Sequence, residues 1–174
     1  MRTGTSLYDT DFYAWTIEQA ALLRDGKVQE LDLANLAEEI ESLGKRDRRE
    51  VESRLEVLVM HLLKWHYQPS GRQTSHSWYD SIVEQRRELG LVLDDSTTLR
   101  NQVPELLAKG YARGRRKASH DTGLPLTTFP EGCLWTPEQI LDDDFWPEEQ
   151  AETDWPTRAP GGSEDLPMRA MEPY

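Results

Sequence analysis

Two apolar stripes at helical spacing, one after the other between Leu33 and Trp65, constrain this chain more than anything else in it. Leu33, Leu36, Ala37, Ile40 and Leu43 make the first; Val51, Leu55, Leu58, Leu62 and Trp65 make the second. Steps of three and four residues gather each set on one side of an α-helix. Gly44 falls between them, where a left-handed cap lets a chain turn back. The pattern therefore predicts a helical hairpin at the centre of an all-α domain. Glu39 lies off the first stripe and reads as a solvent-facing residue.

Punctuation along the rest of the chain extends the prediction. Asp9 or Thr10 can cap a first helix running to about Asp25, with Gly26 as its stop, and Phe12, Trp15, Ala20, Leu22 and Leu23 give it apolar content. Asp32 caps the second, which reaches Leu43. The third runs from near Asp47 to about Tyr67 and ends at Pro69, Ser70 and Gly71. A fourth starts around Ser75 or Ser77 and carries Trp78, Ile82, Leu89 and Val92 on one side. Asp94 to Thr98 breaks it, and Ser96 caps a fifth, in which Pro104 should kink or split the helix. Leu99, Val103, Leu107, Gly110 and Gly114 share a side of that helix, where small residues permit close approach of a neighbour. Gly123 closes it. Thr136-Pro137-Glu138-Gln139 is a capping box with proline at the first helical position, the start of a short sixth helix.

No segment alternates apolar and polar residues for long enough to make a strand; Leu91-Val92-Leu93 and Leu124 to Phe129 could at most be short extended pieces. The expectation is a single helical bundle of about five to six helices over residues 5–147. Beyond it, residues 148–174 set Pro156, Pro160, Gly161, Gly162, Pro167 and Pro173 among acidic residues, and read as a flexible acidic tail.

The formal net charge is −12, which disfavours wholesale binding to nucleic acid. The charge is uneven: residues 1–44 carry net −6 and residues 45–120 net +5. A single cysteine, Cys133, excludes an internal disulfide framework and a cysteine-built zinc site. No secretory leader is visible from Met1 to Asp11. The most apolar window, Leu55 to Leu63, is interrupted by Glu56 and His61 and is too short to span a bilayer. A cytoplasmic protein without a membrane partner is the expectation.

Chemistry is sparse. No glutamate lies three residues before any of the four histidines, and His-Glu-x-x-His, Walker and Gly-x-Ser-x-Gly patterns are missing, so neither metal nor cofactor is called for. Arg54 and His61, seven residues apart, share one side of the third helix at the edge of its apolar stripe. Arginine followed by histidine after four to six residues, on a helix of an all-helical domain, resembles the signature of HEPN ribonucleases. That likeness implies metal-independent RNA cleavage, with the arginine stabilising charge and the histidine moving a proton. Arg115 and His120 satisfy the same spacing, and the bland alternative is an arginine snorkelling over the core beside a histidine at its edge. Glu41, Gln85 and Arg86 border or enter apolar stripes and could join Arg54 and His61 in one polar network. Arg113, Arg115, Arg116 and Lys117 form a compact basic cluster, suited either to nucleic-acid phosphates, as in a nucleic-acid-binding regulator, or to acidic stretches of this same chain.

Longer wording is more specific. Leu7-Tyr8-Asp9 through Phe12-Tyr13-Ala14-Trp15, Asn35-Leu36-Ala37-Glu38-Glu39-Ile40-Glu41-Ser42-Leu43-Gly44 and His61-Leu62-Leu63-Lys64-Trp65 follow one another in order. Ser77-Trp78, Gln85-Arg86, Thr122-Gly123-Leu124, Trp135-Thr136-Pro137-Glu138-Gln139 and Asp144-Phe145-Trp146-Pro147 complete the series. The whole resembles the bacterial family catalogued as domain of unknown function 29. The resemblance implies an all-helical domain and brings no catalytic residue. What these readings favour is a non-enzymatic helical interaction module whose partner is another protein or a second copy of itself.

Overall fold

Residues 33–67 form one helix, α3 (Leu33–Tyr67), and everything else is arranged around it. The computed structural model describes residues 6–74 and 77–148. Before α3 come a single turn, α1 (Leu7–Thr10), and α2 (Phe12–Arg24). After it come the short α4 (Pro69–Thr74), then α5 (Ser77–Asp94), α6 (Thr97–Thr122) and the five-residue α7 (Pro137–Leu141). No strand occurs among the described residues. Leu91-Val92-Leu93 belongs to α5, and Leu126–Thr128 forms a 3-10 turn. The predicted tail lies outside the described residues from 149 onward.

The central hairpin does not exist. Gly44 is an interior residue of α3: its φ is not among the positive ones, and a Cβ built on it would meet nothing within 4 Å. A helix-interior glycine costs about 1 kcal/mol against alanine, too little to stop a helix with strong formers on both sides. Ion pairs one turn apart, Lys45 to Glu41 at 3.1 Å and Arg54 to Glu50 at 2.8 Å, support the continuous path. Joining the segments has a geometric consequence. Val51 follows Leu33 by 18 residues, about five turns at 3.6 residues per turn. The two stripes are therefore one stripe, running down a single side of a helix ~52 Å long.

Only the second half of that side is covered. α5 returns antiparallel to α3, as Arg54 to Glu88 (3.0 Å) and the Lys64 ammonium over Trp78 (4.9 Å) show. α6 then runs parallel to α3: Arg48 pairs with Glu105 (2.9 Å) and Lys64 with Asp121 (3.1 Å). Gly110 and Gly114 make this pairing close. A Cβ on Gly114 would sit 2.7 Å from the Glu56 carbonyl oxygen, and one on Gly110 would sit 3.1 Å from the Glu56 amide nitrogen. Val51, Leu55, Leu58, Leu62, Ile82, Leu89, Val103 and Leu106 fill the space between the three helices.

Pro104 does not split α6, which continues from Thr97 to Thr122 with that residue exposed. The lost amide hydrogen bond faces solvent, and Val103, Leu106 and Leu107 hold both flanks in the core. Local caps behave as read: Asp32, Ser96 and Thr136 accept amide hydrogens, and Gly26 and Gly123 take φ of 69° and 71°. The first helix is the exception, since Asp11, not Asp9 or Thr10, caps α2.

Candidate functional site

Of the polar residues singled out above, Arg54 and Gln85 line a common groove and the others lie apart from it. Arg54 is held between carboxylates, its Nη2 2.8 Å from Glu50 and 3.0 Å from Glu88. His61 lies two turns further along the same edge of α3. Its Nδ1 is buried and has no hydrogen-bond partner among the described residues. Burial, reinforced by the nearby Lys64 ammonium, pushes the His61 pKa down from 6.5 to about 4. Arg54 ties α3 to α5 through Glu88.

The proposed network is likewise dispersed. Glu41 is exposed and pairs with Lys45. Gln85 lines a shallow groove of about 300 Å3 with Glu50, Ser53, Arg54 and Val57. Arg86 turns away from it, being 3% exposed, and donates to three backbone carbonyls: Ile140 at 2.9 Å, Asp143 at 3.4 Å and Phe145 at 2.7 Å. Its guanidinium also lies 5.4 Å from the Trp146 ring, which stacks on Tyr79. Arg86 thus clips the segment after α7 onto α5.

The basic cluster is mostly committed within the chain. Arg113 bridges Glu52 and Glu56, and Lys117 reaches Glu56 at 2.5 Å. Arg115 donates to the Phe129 carbonyl at 2.8 Å and that of Leu126 at 3.0 Å, holding the loop after α6. Arg116 alone of the four is an exposed cation with no ion pair among the described residues. Cys133 is half-buried, and burial pushes its thiol pKa up. No group of three histidine, cysteine or carboxylate side chains is placed to hold a metal among the described residues.

The unusual surface lies elsewhere, on the arm made by α1, α2 and the first half of α3. Asp11 starts α2, Gly26 ends it, and the chain folds back so that α2 runs antiparallel to α3. The Gln19 side-chain oxygen accepts from the Asp32 amide at 2.8 Å, and the Tyr8 hydroxyl donates to Glu39 at 2.6 Å. Glu39 is therefore a fastening, not the free surface residue expected. Tyr8, Phe12 and Trp15 make an aromatic cluster with centroids 4.9–5.8 Å apart. Yet Trp15 and Gln19 are the only buried residues of α2.

What remains is open. Leu7, Phe12, Tyr13, Ile17, Leu23, Val28, Leu33, Ile40 and Leu43 are each 40–75% exposed. Helix geometry orders them. With Trp15, Gln19 and Leu22 turned toward α3, Phe12, Thr16 and Leu23 flank one side of α2. The pairings of Gln19 with Asp32 and Tyr8 with Glu39 put that side level with Leu33, Ala37 and Ile40. Residue spacing contained this signal, since α2 is apolar nearly all round and such helices are normally buried.

A three-helix bundle with an apolar arm projecting from its longest helix defines the class of protein. The chain belongs to the family described as Domain of unknown function DUF29, whose model matches residues 7–146. No curated protein and no solved structure matches it.

Proposed function

We propose that the protein is a non-enzymatic helical interaction module, with the bundle as its stable body and the arm as its docking surface. One observation carries this reading: nine large apolar side chains stand open on the arm. Exposed apolar patches rimmed by polar residues mark protein interaction sites.

The partner surface is protein. Residues 1–44 carry net −6, which opposes nucleic-acid phosphates and anionic lipid headgroups alike. No helix among the described residues is long and apolar enough to cross a membrane. A cytoplasmic setting suits a chain whose lone thiol, Cys133, is half-buried.

A photo-crosslinking amino acid at position 40, introduced in living cells, tests the reading, with the same group at exposed Glu84 of α5 as control. Position 40 should yield covalent protein adducts and position 84 none. A bare position 40 would remove the arm as a docking surface.

A further inference from the structure

We infer that the arm's partner is a cationic amphipathic helix, laid along the side of the arm that carries Leu33, Ala37 and Ile40 of α3 and Phe12 and Leu23 of α2. The inference rests on the arm being a docking surface and names the chemistry of what covers it.

The geometry of α2 and α3 defines a seat for one more helix. The Asp32 amide at the start of α3 meets Gln19, and the Glu39 side chain meets Tyr8. Rotation about α3 by roughly 120° from that side brings up Leu33, Ala37 and Ile40. α2 turns Trp15 and Gln19 inward, and about 50° further round lie Phe12 and Leu23. Each rotation follows the right-handed turn of its own helix, and the two helices run in opposite directions. Both sets therefore emerge on the same side of the pair. There Leu33 is 60%, Ile40 67%, Phe12 49% and Leu23 54% exposed. One end of the seat is closed: Arg48 reaches Gln102 and Glu105, so α6, which starts at Thr97, lies alongside the α3 residues that follow Ile40. The open length is that of the 13-residue α2, about 20 Å or roughly 3.5 turns of helix.

Charge selects the occupant. Residues 1–44 hold nine acidic and three basic groups, net −6. Among the described residues only two of those carboxylates have an ion pair, Asp25 with Lys27 and Glu41 with Lys45. The rest leave a negative field over the arm. Both occupants that the chain itself offers are repelled by it: a second copy carries net −12, and residues 149–174 carry net −4. A helix with lysine and arginine beside an apolar stripe satisfies the open side chains and the field together, by the helix-in-groove mode of recognition. Along the bundle α3 is packed by two helices, α5 and α6; on the arm a cationic helix completes the same arrangement beside α2.

The probe is a synthetic peptide of about 18 residues, roughly 27 Å of helix, with leucines at every third and fourth position and lysines elsewhere. Fluorescence anisotropy of its labelled form reads binding to the full-length chain. Two peptides serve as controls: the same leucine stripe with glutamate for lysine, and a lysine peptide of the same composition with its leucines scattered round the helix. Wild type should bind the striped lysine peptide and bind each control ~10-fold or more weakly. Added salt should loosen the complex by screening. Ile40→Asp makes the arm more acidic, yet with its helical signal intact it should lose about tenfold or more in affinity. Leu91→Asp, at an exposed apolar position of α5, should lose nothing. Equal binding of the lysine and glutamate stripes overturns the inference, as does equal binding by wild type and Ile40→Asp. So does a chain that sediments at twice its 20.1 kDa mass and becomes single with Ile40→Asp, because a second copy then covers the seat. Failure of every peptide, while position 40 crosslinks to a protein in cells, removes the cationic helix and leaves the docking arm. A bare position 40 removes both.

Discussion

Along α3 the same kind of stripe meets two different fates. In the bundle, Val51, Leu55, Leu58 and Leu62 are each 0% exposed; on the arm, Leu33, Ile40 and Leu43 are 53–67% exposed. The contrast holds beyond α3, because among the described residues Trp15 is the only buried apolar one before Val51. Identical local chemistry therefore yields a core in one region and a surface in the other. A bundle residue is held by burial against two neighbouring helices. An arm residue is held by one helix and a few hydrogen bonds such as Tyr8 to Glu39. Regions with few buried apolar contacts open at low free-energy cost, so the arm is the less protected part of the molecule.

Matched substitutions can break that comparison. The largest expected difference is between Leu58→Ala and Leu33→Ala. The first empties part of a closed core and should cost about 2–5 kcal/mol of unfolding free energy; the second should change it by less than about 0.5 kcal/mol in the single chain. Urea unfolding of dilute protein measures both, and equal losses would mean the arm has a core of its own.

A smaller and sharper contrast is between two glycines. Gly114→Ala puts a methyl group 2.7 Å from the Glu56 carbonyl oxygen, prises α3 from α6, and should destabilise by about 1–3 kcal/mol. Gly44→Ala meets open space in a helix interior and should stabilise by about 0.5–1 kcal/mol. Thermal melts of the two variants should move in opposite directions. A loss at Gly44 would restore the turn that its sequence context suggests.

A further contrast is a histidine pH dependence belonging to the bundle, since residues 6–47 contain no histidine. His61 has a folded pKa of about 4, below the 6.5 of an open imidazole, because burial and then Lys64 disfavour its charge. Between those values the unfolded chain takes up a proton that the folded chain resists. Stability therefore falls as pH drops through this window and is fully present above it. Denaturation midpoints of wild type and His61→Gln should converge in neutral solution and separate as acid is added, with wild type losing more. Parallel curves would show that His61 titrates freely.

Helix ends were legible because their causes are local. Asp32, Ser96 and Thr136 cap through hydrogen bonds spanning three residues, and Gly26 and Gly123 stop helices through their own φ. Gly44 and Pro104 misled for the same reason: each is a local stop signal overruled by the helix on both sides of it. The polar network came together only at Arg54 and Gln85. Glu41, Arg54, His61, Gln85 and Arg86 are all edge residues, but which edge faces which neighbour depends on the packing of α5 and α7, and Arg86 found carbonyls 54 to 59 positions away. The candidate surface was half visible, as an α2 with apolar residues on nearly every side.

The order of residues alone determined that this chain makes helices, where most of them begin and end, and which side of each sheds water. Those outcomes follow from torsional preference and periodicity within a few turns. Only the tertiary arrangement decided that α3 runs unbroken and outreaches its neighbours, leaving part of one continuous stripe without a cover. Burial of apolar surface is non-directional and scales with area. A stripe therefore reads the same whether α5 and α6 close over it or it stays open, and only the reach of those helices along α3 separates core from arm.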